Sequence, residues 1–106
     1  MSGMWMAETT VPDEELAQHL AQVLVARRLA ACVHVTPIAS VYRWQGAVQT
    51  DEEFVLSIKT VEDRLEAVEA AIKEHHPYEV IAFFAHFVPR INDEYATWLE
   101  DATRPG

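Results

Sequence analysis

The chain has 106 residues, half of them hydrophobic, with 17 acidic side chains against 8 basic ones and a formal net charge of −9. That length fits one domain over residues 1–106, and the scattered Lys and Arg residues exclude the basic face that nucleic-acid binding requires. A single cysteine, Cys32, excludes an intrachain disulfide, and no apolar run approaches transmembrane length; with no basic leader in residues 1–6, these features point to a cytoplasmic protein.

Residues 3–9 read as a short first strand. Pro12-Asp13-Glu14-Glu15 then opens a helix, with proline early and carboxylates at the positive end of the dipole. Leu16, Leu20, Val23 and Leu24 make its apolar stripe, and the pattern carries the helix to about Leu29. At residues 31–36 the period changes to two, with Cys32, His34 and Thr36 on one face and Ala31, Val33 and Val35 on the other. Pro37 interrupts as an edge or bulge proline would. The extended pattern resumes from Ile38 to Trp44, turns at Gln45-Gly46 and returns over residues 47–60, so the two runs make a long hairpin.

Thr60-Val61-Glu62-Asp63 has the spacing of a capping box, with Asp in place of Glu or Gln. Val61, Leu65, Val68 and Ile72 continue it as the stripe of a second helix, whose wet face carries Glu62, Glu66, Glu69 and Lys73. A polar corner follows: His75-His76-Pro77-Tyr78-Glu79. Pro77 cannot extend the helix and pushes His76 to an extended conformation. Residues 80–88 read as a last strand, apolar on both faces apart from His86, and Asn92-Asp93-Glu94 opens a final helix bearing Tyr95, Trp98, Leu99 and Ala102. The order β-α-β-β-α-β plus a terminal helix predicts an α+β, ferredoxin-like fold. Its helices are expected on one face of the sheet, and the doubly apolar last strand asks that the other face be covered by another chain.

Cys32 and His34, at i and i+2 of a strand, share a face, and a thiolate with an imidazole suits copper or zinc better than magnesium or calcium. The alternative is a small buried thiol with no ligand role. His76 is either a ligand or a hydrogen-bonded brace of the corner, and His75 a helix C-terminal group meeting the last carbonyls. Tyr78, Glu79 and Glu53 supply a phenol and carboxylates to a cleft, but no catalytic constellation emerges. On the apolar strand, His86 reads as a satisfied core residue; His19 reads as a helix-surface one. Lys59 and Glu53 on one strand face are candidates for an ion pair, while Arg43 and Trp44 at the hairpin tip fit an interface.

Four segments carry a family likeness: Arg28-Leu29-Ala30-Ala31-Cys32-Val33, Tyr42-Arg43-Trp44-Gln45-Gly46, the strand from Glu53 to Lys59-Thr60, and His76-Pro77-Tyr78-Glu79-Val80. With Glu94-Tyr95 and Trp98-Leu99 in the last helix, the chain resembles the CutA-type divalent-cation tolerance proteins over nearly its whole length. The resemblance implies a ferredoxin-like subunit in a homotrimer whose sheets and hairpins pack together. It also implies tolerance of or response to divalent metal ions, copper above all. The family's proposed metal positions fall on Cys32 and His76 in a cleft between subunits, with Glu79 or His34 assisting. The chain departs from the family pattern at Ile81-Ala82, where Pro-Glu is usual, and at His34, where Asn is usual. A trimeric module that senses a small molecule or docks a protein, as PII signalling proteins do, is the other reading. An acylphosphatase-like hydrolase is disfavoured because Thr9-Thr10-Val11-Pro12-Asp13 has neither the Gly nor the Arg of a phosphate cradle.

Overall fold

The computed structural model describes residues 3–106. The elements are β1 (Met4–Val11), α1 (Glu14–Ala26), β2 (Cys32–Trp44), β3 (Ala47–Thr60), a 3₁₀ turn (Glu62–Arg64), α2 (Leu65–His75), β4 (Phe84–Val88) and α3 (Asp93–Thr103). The four strands form one antiparallel sheet in the order β2-β3-β1-β4, the ferredoxin-like arrangement that the element order predicts.

Alternation along the central strands divides the core in two. Ala7, Val11, Leu56 and Ile58 point to the face covered by α1 and α2, where Ala17, Leu20, Leu24, Val68, Ala71 and Ile72 complete the main core. Met4 and Met6 point the other way and pack with Leu99, Tyr95 and Ala102 of α3. The helices are therefore not confined to one face. α3 folds back over one corner of the second face, and Lys59 lies 5.6 Å from the centre of the Tyr95 ring there. Lys59 and Glu53 form no ion pair, because six residues of strand separate them by about 20 Å.

Local chemistry fixes the element ends. The Asp13 carboxylate accepts the Leu16 amide at 2.8 Å and caps α1. α1 stops at Ala26 rather than near Leu29, in a two-bond C-terminal lock: the Arg28 amide donates to the Val25 carbonyl and the Leu29 amide to the Leu24 carbonyl. Arg28 holds φ at 61°, where glycine is usual, and its guanidinium donates to the Asp101 carbonyl at 2.8 Å, tying α1 to the end of α3. The Thr60 box does not form. Thr60 belongs to β3, its hydroxyl donates to the Leu29 carbonyl at 2.6 Å, and the chain enters α2 through the uncapped 3₁₀ turn.

β2 and β3 pair without a break from Cys32↔Lys59 to Trp44↔Ala47, so Pro37 makes no bulge. The turn between them has positive φ at both Gln45 and Gly46, which matches the twist of a two-residue hairpin. β1 ends opposite Phe54, so residues 38–53 leave the sheet as a bare two-stranded arm, and the molecule is elongated to 46 × 26 × 21 Å. β4 is shorter than the apolar run predicts. Residues 80–83 leave the ladder: the Thr9 hydroxyl holds the Ala82 carbonyl at 2.7 Å while Ile81 and Phe83 turn to the main core.

Candidate functional site

The corner after α2 is stiff for two reasons. Pro77 holds His76 extended, at φ −92° and ψ 133°. The imidazole then bonds at both nitrogens: Nε2 lies 2.6 Å from the Thr10 carbonyl, and Nδ1 lies 3.1 Å from the Tyr78 amide. A carbonyl only accepts and an amide only donates, so the proton sits on Nε2 and Nδ1 presents the lone pair. His76 is thus a brace of the corner, with Nδ1 as the one atom from which it could hold a metal in place of the Tyr78 amide.

Tyr78 reaches past the end of β1 and donates to Glu53 at 2.8 Å. Glu53 is only 6% exposed on β3, a buried carboxylate whose hydrogen-bond partner among the described residues is this phenol. One pair of positions outward on the arm, Tyr42 donates to Asp51. Spacing alone does not show either pairing: Tyr42 and Asp51 lie diagonally across two strands, and Tyr78 arrives from a loop. Partial burial, followed by the bond to Glu53, pushes the Tyr78 phenol well above its ordinary value. Below pH about 10 both folded and unfolded chains carry that proton. Above it the unfolded chain ionises while the folded phenol stays neutral, so stability falls as pH rises. Tyr78→Phe is expected to flatten this alkaline decline, read by denaturant unfolding between pH 8 and 11.

The metal candidates are distributed as follows. Cys32 is half-buried and His34 exposed, both on the sheet face away from α1 and α2, as the period-two reading requires. Glu79 is exposed and stands on an open groove of about 460 Å³ beside Lys73 and Glu69, away from Cys32. Cys32 shares a register row with Lys59, whereas the Thr10 carbonyl that holds His76 shares one with Val55. Those rows are four residues apart and Cys32 is two strands from β1, so within one chain Cys32 and the Thr10 carbonyl that anchors His76 are about 15 Å apart. Among the described residues no three His, Cys, Asp or Glu side chains converge on a metal position. A site using both Cys32 and His76 therefore draws them from two chains. His86 is exposed on β4 and is not a core residue; it stands in the row of Cys32, Lys59 and Met6.

The chain thus defines a ferredoxin-like domain with a protruding hairpin arm, a partly uncovered second sheet face and a braced His-Pro corner. The family model for CutA1 divalent ion tolerance protein matches residues 5–102, and the chain belongs to that family. It is similar to the divalent-cation tolerance protein CutA of Thermus thermophilus, 42% identical over 95 residues that cover 89% of this chain and 92% of that protein. A chloroplastic CutA 1 protein of Oryza sativa is 43% identical over 96 residues, 90% of this chain but 54% of its own; the chain spans about half the length of such plant relatives. The crystal structure of CutA1 from Oryza sativa superposes with a TM-score of 0.93 at 38% identity, covering 99% of this chain and 98% of that one. Among the described residues no helix is long and apolar enough to cross a membrane.

Proposed function

We propose that this chain acts in tolerance to divalent metal ions as a cytoplasmic homotrimer that binds the ion, copper foremost, in clefts between subunits. Cys32 and His34 from one chain and His76 and Glu79 from its neighbour are the ligands. The observation that carries the reading is the thiol–imidazole pair on the edge of the partly covered sheet face. A half-buried thiol and an exposed imidazole stand together on the edge strand β2, and only α3 covers part of that face. Thiolate and imidazole donors select copper or zinc. The Nε2–H bond from His76 to the Thr10 carbonyl is the outer contact that orients a ligating imidazole and raises its basicity. A metal on Nδ1 displaces only the 3.1 Å bond from the exposed Tyr78 amide.

Calorimetric titration with Cu²⁺ and Zn²⁺ tests the ligand set. Cys32→Ser combined with His76→Ala is expected to weaken binding about tenfold or more, by the scale on which donor and outer-contact losses act. Unchanged affinity refutes the assignment. The Tyr42–Asp51 and Tyr78–Glu53 pairs favour a second reading, a PII-like sensing module, because they offer hard oxygen donors and acceptors suited to a polar small molecule. A metabolite that raises the melting temperature in the presence of chelator would favour that reading.

A further inference from the structure

The helix layer carries a pair of imidazoles that the intersubunit cleft does not use. His19 on α1 and His75 at the end of α2 have ring centres 5.5 Å apart. We propose that they form a two-imidazole chelate for a borderline divalent cation such as Ni²⁺ or Zn²⁺, with water completing the coordination, separate from the Cys32 cleft.

Three observations support this. A metal–nitrogen bond of about 2 Å places the centres of two imidazoles on one tetrahedral ion about 5 Å apart, close to the separation found. His75 Nδ1 lies 2.9 Å from the Ala71 carbonyl. The carbonyl can only accept, so the proton is on Nδ1 and the Nε2 lone pair is left to ligate, in the orientation that backbone-bonded metal histidines adopt. Among the described residues no protein group engages the His19 ring by a hydrogen bond, so its donor nitrogen is available without breaking a contact. The setting is not hostile to a cation: Arg27 is matched by Glu74 at 3.3 Å, and Glu15 stands one turn before His19 on the same stripe of α1. The neighbouring turns are regular helix, so the pair is held by two rigid elements, which favours chelation over independent binding at each ring.

Ni²⁺ titration of the intact protein, followed by NMR of the histidine ring protons, tests the pair. The His19 and His75 signals are expected to broaden together at the lowest Ni²⁺ concentrations, ahead of exposed His86. In His75→Gln the His19 signal should need about tenfold more Ni²⁺, since one imidazole cannot chelate. The Cys32→Ser variant, which removes the cleft thiol far from the helix layer, should leave the pattern unchanged, so failure of the cleft assignment and failure of this one read out separately. Broadening of His19 no earlier than His86, or its persistence unaltered in His75→Gln, overturns the proposal. His19→Gln, at an exposed helix position, gives the reciprocal test on His75.

Discussion

Leu56→Ala is expected to destabilise the fold by about 3 kcal/mol, within the range measured for emptying a fully buried leucine site. Leu56 has no exposed surface. It lies on β3 between Val35 of β2 and Thr9 of β1, under the α1–α2 layer. Both neighbouring strands fix its backbone, so the surrounding side chains cannot collapse far into the space left. A domain of this size is stable by about 5–15 kcal/mol, so the change removes a large share of the total. Val48→Ala on the same strand is the control. Val48 is 63% exposed on the arm, and within one chain its loss should fall inside about 0.5 kcal/mol. Chemical denaturation of both variants gives the comparison.

Phe84→Asp is expected to dissociate the proposed trimer while leaving the chain folded. Phe84 is 55% exposed in one chain, at the start of β4 and on the face that carries His34. For a lone subunit this is a surface substitution and should be nearly neutral. In the proposed trimer the same side chain is covered, and an unpaired carboxylate there costs several kcal/mol. The neighbourhood makes the difference large. Tyr42 and Trp44 of the arm are exposed on that same face of the β2–β3 ladder, and exposed aromatic side chains of this kind mark a surface that a partner covers. A two-stranded arm is marginal by itself in water, which gives residues 38–53 a second reason to be packed by neighbours. Circular dichroism that is retained, with a fall in mass, is the expected outcome.

These effects follow from features that differ in how plainly the residues announce them. The first three strands, the hairpin turn and two of the three helix stripes are local periodicities, and they emerge in the places the side chains predict. The element order then leaves little choice of sheet topology. What the pattern hides is settled by contacts distant along the chain. Thr60 has the spacing of a cap, yet the Leu29 carbonyl takes its hydroxyl. Residues 80–83 have a strand's composition, yet Thr9 captures the Ala82 carbonyl and pulls them off the ladder. α3 looks like a helix that needs a surface, but only the tertiary fold shows that it takes the corner of the second sheet face.

The candidate site shows the same division. Cys32 and His34 on one face, and a stiff His76, are legible from period two and from Pro77. The Tyr78–Glu53 bond, the diagonal Tyr42–Asp51 bond and the His19–His75 pair join segments 25, 9 and 56 residues apart, for which local spacing carries no signal. His76 illustrates the limit best. Its residue type suggests a ligand, and only the positions of Thr10 and Tyr78 reveal that both ring nitrogens already have partners and which of them holds the lone pair.

Cys32 and His76 of one chain are too far apart to share an ion, so the proposed metal site requires an assembly. Light scattering coupled to size exclusion tests it most directly. A trimer gives a mass three times the 12.0 kDa of the chain, and a monomer at 12.0 kDa would contradict the shared cleft.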